Sequence, residues 1–272
     1  MSARTLAVCA DDFGLNPGVN HGILRLARRG RLTAVSCMVN MPAWAEGARA
    51  LMAVPLVARG SLRLGLHLSL TEGQPLSSTL RRHWPQLPTL PQLLAQSHLR
   101  LLPRAALRDE LHAQLDAFEH GTGRRPAHLD GHQHVHHLPV LRDLVLDAAA
   151  ARADLRVRDT GSMPGPGHGF KRWVIRQTGG ARLRRSLQAL QRQANPELLG
   201  VYDFEAPDYR RLMQSWLAAV PNRGALLFCH PGEGGEAGDA IAAARRRELA
   251  YLDSDAFAAD LYAAGVRLGH VA

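Results

Sequence analysis

The chain has 272 residues, 46% of them hydrophobic, and a formal charge of +9. That is the size at which an α/β barrel closes as one unit, and one domain over 1–272 is expected. With no run of about 18 apolar residues, nothing predicts a bilayer span. The start "MSARTLAVCADDFG" carries too short an apolar segment for a signal peptide, so a cytoplasmic protein is expected.

The positive charge is nearly all arginine, Lys171 being the only lysine. It reads as a compositional habit rather than a nucleic-acid footprint, and the densest basic run, Lys171 to Arg192, reads as a solvated helix face. Cys9, Cys37 and Cys229 are odd in number, widely spaced and set in apolar runs. They predict three small buried thiols, not a disulfide framework.

In chain order, short apolar runs alternate with helical patterns. "TLAVCA" precedes "NPGVNHGILRLARRG", "AVSCMVN" precedes "WAEGARALMA", and "LRLGLHLSL", "AHLDGHQH", "DLRVRD" and "GALLFCHP" follow with helices between them. Strands of about 4–8 residues followed by helices predict βα units on a mostly parallel sheet. Residues 74–103 break the rhythm and read as an insertion; Asp159 to Lys171, rich in Gly and Pro, reads as a loop.

The first apolar run ends in Asp11 and Asp12, which places two carboxylates at the carboxyl end of a parallel strand, where such folds build active sites. Strand neighbours point to opposite sides, so the two acids are expected to do different work. Either one could instead cap the following helix.

His67 lies inside an apolar strand and by itself reads as a core histidine. The stretch "HLDGHQHVHH" supplies its partners, with five of the fourteen histidines in ten residues. Read as an extended strand, it puts Asp130, His132, His134 and His136 on one face. A helical reading and a role for several of these rings as supports for neighbouring ligands stay open. "ALLFCHPGEGG" then delivers His230 to a strand end, where it suits a general acid or an oxyanion stabiliser. Two imidazoles, a carboxylate and an open position make a hydrolytic metal centre.

The pieces "ADDFGLNPGVNHGI", "LTAVSCMVNMPAW", "LGLHLSLTEGQPL", "RPAHLDGHQHVHHLP" and "FCHPGEGG" together resemble the YdjC-like carbohydrate deacetylases (ChbG/HpnK-like). The resemblance implies a (β/α) barrel-like fold of the glycoside hydrolase/deacetylase type, a divalent metal ion (Mg or Zn), and removal of acetyl groups from N-acetylated amino sugars. By motif position it implies Asp12, His67 and His132 as metal ligands, Asp11 as general base and His230 as the late-strand acid. Asp130, His134 and His136 are expected behind the ligands.

This chain reads "DGHQHVH" where those proteins commonly carry "DSHHHVH", and little aligns between about Asp159 and Pro221. From chain position, Asn40, Trp44 and Arg158 are expected to hold the sugar. The expected partner is a small acetylated saccharide, with no nucleic acid, no membrane, and a homodimer left open. Two other functions fit the same residues: a non-catalytic metal- or sugar-binding protein, and a metal-dependent glycoside or phosphoester hydrolase.

Overall fold

The computed structural model describes residues 4–234 and 238–271. The stretch "FCHPGEGG" runs out of the described residues at Gly235. Eight strands form one sheet: β1 (Arg4–Phe13), β2 (Ala34–Cys37), β3 (Arg63–Leu68), β4 (His128–Gly131), β5 (Arg156–Val157), β6 (Leu198–Leu199), β7 (Ala225–Cys229) and β8 (Val266–Leu268). Their order is β5-β4-β3-β2-β1-β7-β6, with β8 beside the start of β1, and every pairing is parallel.

The helices are α1 (Pro17–Arg28), α2 (Trp44–Met52), α3 (Pro55–Ala58), α4 (Ser78–His83), α5 (Leu90–His98), α6 (Arg104–Thr122), α7 (Leu141–Ala150), α8 (Gly169–Ile175), α9 (Ala181–Ala189), α10 (Tyr209–Ala219), α11 (Ala242–Asp253) and α12 (Asp255–Ala263). The result is a (β/α) barrel-like half-barrel, as the alternation of apolar and helical patterns predicts. Between β5 and β6 the sheet is open. Loop contacts bridge the seam: Leu198 N–H donates to Ser162 O at 2.9 Å and Asp159 N–H to Asn195 Oδ1 at 2.8 Å.

The expected insertion is two short helices, α4 and α5. It is fastened to α6 by the buried Glu110 carboxylate, which accepts from the backbone N–H groups of Leu76 (3.0 Å) and Ser77 (2.8 Å). No helix among the described residues is long and apolar enough to cross a membrane. All three cysteines are buried and unpaired. The basic run is less uniform than a solvated face: Lys171 Nζ turns in to donate to Tyr202 O at 2.6 Å, and Arg184 pairs with Asp159 at 2.9 Å.

Alternation along the strands sorts the residues by chemistry. Leu6, Val8, Ala10, Val35, Leu64, Leu66, Leu129 and Val157 face the helices and share one apolar core with residues such as Ile23, Leu51, Leu115 and Leu217. The interior-facing set is largely polar: Cys9, Asp11, Ser36, His67, His128, Asp130 and Arg158 meet inside the sheet. Branched aliphatics usually fill such interiors. A polar column in their place must satisfy itself, because a buried polar group without a partner costs about 1–3 kcal/mol.

Gly65 makes room for this column. A Cβ there would lie 2.3 Å from the His128 ring. Ser36 spends its one proton on Asp130 (2.7 Å), so His128 Nε2–H donates to Ser36 Oγ at 2.9 Å and the ring cannot yield freely. Gly65→Ala is expected to destabilise the fold by about 1–3 kcal/mol in chemical denaturation. Gly169→Ala, where a Cβ meets open space, is the control, and equal losses in the two would refute the packing argument.

Candidate metal centre and active site

At the carboxyl ends of the strands a cavity of 650 Å³ opens, with Asp11, Asp12, His67, Glu72, His132, His230 and Arg245 among its polar lining and Leu90, Ile175, Phe204 and Phe228 in its walls. Both aspartates reach it because β1 is irregular there. Its register with β2 breaks between Ala10 and Phe13, and Asp12 adopts φ 67°, a left-handed conformation that Asp tolerates better than most residues. Simple alternation would have sent the two acids to opposite sides. The bulge brings both into one pocket, and different partners then separate their tasks.

Asp12 Oδ1 lies 3.0 Å from His132 Nδ1 and 3.3 Å from His67 Nε2, while its Oδ2 pairs with Arg245 Nη2 at 2.9 Å. His67 Nδ1–H donates to Asp130 Oδ1 at 2.6 Å, which aims Nε2 at Asp12. Arg158 ties the arrangement together. Its guanidinium grips both oxygens of Asp11, at 2.6 and 2.7 Å, and also pairs with Asp130.

The histidine stretch is not the extended strand that alternation suggests. β4 ends at Gly131, and His132–His137 form a tight helical turn in which Gln133 and His134 take positive φ. His132, His134 and His136 therefore do not share a strand face. His132 reaches the aspartate, and its Nε2 lies 3.2 Å from Glu72 Oε1. His134 packs its ring edge-on to Phe228 in the pocket wall. His136 Nε2–H donates to Arg158 O at 3.0 Å, so it supports the arginine rather than a ligand.

His230 lines the pocket at the end of β7, flanked edge-on by Phe204 and Phe228. Its backbone N–H donates to the buried Glu248 carboxylate at 2.5 Å, and Tyr202 Oη–H donates to the other oxygen of Glu248.

The three residues expected to hold a sugar are elsewhere, because chain position does not fix side-chain direction. Arg158 is buried, and its two terminal nitrogens are engaged with Asp11 and Asp130. Trp44 stacks on Phe118 in the core, and a Cβ on Gly121 would lie 2.9 Å from its indole. Asn40 Nδ2 donates to Glu72 O at 2.8 Å, which positions the loop bearing Glu72 rather than touching the pocket.

Electrostatics divides the imidazoles into two sets. Burial penalises charge on all of them, but Asp130 and Asp11 outweigh it at His67, lifting its pKa to about 10, and Asp12 does so at His132, lifting it to about 9. At His128, His136 and His230 burial prevails and lowers the pKa to about 4. Burial of Asp12 is likewise outweighed, by Arg245 and His132, and its carboxyl is held well below the usual range.

The triad fits a divalent cation. One carboxylate and two imidazoles, all buried, bring ligand atoms within 4.8 Å of one another, and the raised pKa values of both imidazoles reflect a carboxylate environment that favours positive charge. Imidazole with a carboxylate is a donor set for zinc and other transition metals, while magnesium prefers more oxygen.

Protons and cation should then compete. Both imidazoles have folded pKa values above 6.5, so their contribution to the metal-free fold is complete below pH 6.5 and lost as pH rises through about 9 to 10. Divalent ion binding is expected to tighten over the same interval and to release about two protons per ion at pH 7. Calorimetry in buffers of different ionisation enthalpy counts them, and a count near zero would exclude these two rings as ligands.

Four residues of the site carried no distinct signal in the sequence. Glu72 sits inside "LTEGQPL" five positions after His67, and that strand-end spacing could have found it. Tyr202, Arg245 and Glu248 arrive from a loop and an arginine-rich helix whose pattern reads as surface.

The chain belongs to the YdjC-like protein family, whose model matches residues 5–263. Curated relatives include a carbohydrate deacetylase of Homo sapiens, 37% identical over 152 residues (54% of this chain, 45% of the relative), and a chitooligosaccharide deacetylase of Proteus mirabilis, 36% identical over 153 residues (56% and 57%). The matches span about half the length of these relatives. A solved structure from Enterococcus faecalis V583, provisionally assigned to cellobiose-phosphate cleavage, superposes with a TM-score of 0.74 at 21% identity, covering 99% of this chain and 98% of that one. An uncharacterised protein of Agrobacterium tumefaciens C58 follows with a TM-score of 0.55 at 12% identity, covering 99% and 88%.

Proposed function

We propose that the protein is a metal-dependent carbohydrate N-deacetylase acting on a small saccharide that carries an N-acetylated amino sugar. The observation that carries this reading is the convergence of Asp12, His67 and His132 beside a second carboxylate, Asp11, in one 650 Å³ pocket. The names of the curated relatives support the substrate class.

Asp12, His67 and His132 would hold a divalent ion, zinc or magnesium, and the chemistry it would supply there is Lewis acidity toward a carbonyl oxygen and water. Asp11 receives the proton of the attacking water, and Arg158 fixes the direction of its two oxygens. Asp130 holds His67 in the tautomer that presents Nε2. His230, neutral at pH 7 because of its burial, offers a ring N–H to the oxyanion of the tetrahedral adduct. Collapse of the adduct expels the amine, which takes the proton from Asp11, leaving acetate and a free amino sugar. The aromatic and aliphatic walls exclude bulk water, which strengthens each of these interactions. Three buried unpaired thiols favour a reducing compartment, the cytoplasm, as the place of work.

The test is acetate release from a panel of N-acetylated sugars, beginning with diacetylchitobiose, by protein that is chelated and then reloaded with zinc or magnesium. Release that disappears on chelation and returns with one of the ions is expected. Release that survives exhaustive chelation would remove metal dependence from the reading.

A further inference from the structure

The polar column has a second end. Below it, at the amino-terminal side of the strands, lies a separate cavity of 70 Å³ lined by Arg63, Arg156, His270, His128 and Asn195 and by small apolar residues that include Ala7, Ala34 and Ala127. Arg63 opens β3, Arg156 opens β5 and His270 follows β8, so three distant segments deliver cationic or donor groups to one small space.

Among the described residues, like charge gathers there without compensation, and none of them that lines the cavity is an Asp or a Glu. Arg156 Nη1 donates to Val271 O at 2.7 Å, Val271 being the last described residue, and His270 Nε2–H donates to Gly60 O at 3.3 Å. The Arg63 guanidinium has no hydrogen-bond or ion-pair partner among the described residues; it meets only burial and the repulsion of Arg156, which together lower its pKa. The same two arginines, after burial, press the pKa of His270 down. Arg63, Arg156 and His270 are half-buried, so solvent screens part of their mutual repulsion, and a counter-charge seated between them would relieve the rest.

We infer that this cavity is a binding site for a small oxyanion of the phosphate class, bridged between the guanidinium groups of Arg63 and Arg156. Guanidinium forks suit two oxygens of one anion, and a volume of 70 Å³ admits one such group and little more. A phosphate ester could enter only by its terminal group. The site is distinct from the metal centre, since it lies at the opposite ends of the strands and shares no lining residue with the larger pocket. Ala194 and Asn195 in its lining precede β6, across the open seam, and Arg156 belongs to β5 on the other side. A bound anion would therefore sit beside the open seam, held from the β3 and β5 side.

Titration calorimetry and thermal unfolding with inorganic phosphate, at constant ionic strength set by chloride, test the site. One saturable phosphate per chain with a raised Tm is expected, unchanged by chelation of divalent ions. Arg63→Gln and Arg156→Gln should each weaken it by about tenfold or more, while Arg182→Gln on the exposed face of α9 should leave it intact. Arg63→Lys, which keeps the charge and loses the fork, should fall between wild type and Gln and serves if the Gln variants fold poorly. Glucose 6-phosphate separates sources: equal affinity assigns the site to phosphate esters, and much weaker binding to the free ion. Absence of saturable binding, or equal weakening by Arg182→Gln, overturns the inference.

Discussion

Arg158→Met is expected to lower stability by about 3–5 kcal/mol and to abolish detectable acetate release. The side chain is buried between two buried carboxylates, Asp11 and Asp130, and its removal leaves both charges without their cation. Breaking a buried pair by deleting one partner has that magnitude because the remaining charge keeps its desolvation penalty. Here a single deletion strands two carboxylates. The catalytic consequence follows from the same contacts: Asp11 loses both hydrogen bonds that orient it, and Asp130 is freed to shift away from His67. Chemical denaturation measures the first effect; a loss below about 1 kcal/mol would show that water replaces the guanidinium and that the column is not a closed network. Arg158→Lys should recover part of the stability but not the orientation, since an ammonium cannot span both oxygens of Asp11.

A second large effect is expected at Asp12. Asp12→Asn is the informative variant, because asparagine also tolerates the left-handed backbone that residue 12 adopts, so the fold is preserved while the charge is removed. Divalent ion affinity should fall by more than the 10–100-fold that loss of an outer hydrogen-bond partner costs a metal site. Asp130→Asn leaves the three ligands in place but weakens the support of His67 and the contacts with Ser36 and Arg158, and should fall within that range. The pKa values of His67 and His132 should also drop toward the ordinary imidazole value as an attracting carboxylate is lost, and NMR titration of the ring protons reports this independently of activity. Equal metal affinity in wild type and Asp12→Asn would place the ion elsewhere.

The succession of most strands along the chain and the residues at their ends were legible in the sequence, because apolar runs of strand length end visibly in Asp11, Asp12, His67 and His230; β6, two residues long, was not. What the sequence hid was direction. Period-2 alternation assigns faces only while a strand stays regular, and both key segments depart from regularity: β1 bulges at Asp12, and β4 stops at Gly131 before the histidines. From chain position Arg158 reads as a sugar contact, because it follows a strand, whereas its partner Asp11 lies 147 residues away. Arg245 and Glu248 share that difficulty. They sit on the inner side of a helix so rich in Ala and Arg that periodicity shows no buried face. The second cavity was equally hidden, since Arg63 and Arg156 at strand starts look like ordinary solvent-exposed ends until the fold brings them together.

On the proposed mechanism, Asp12, His67 and His132 hold one divalent ion beside Asp11, which moves the proton. Acetate release from diacetylchitobiose by Asp11→Asn, with metal content determined on the same sample, tests it most directly. One ion per chain, as in wild type, is expected, with a rate lower by about 10²–10⁴, the usual contribution of a positioned base. Full activity in Asp11→Asn with the ion bound would contradict it, because the proton would then leave by a route that does not involve this carboxylate.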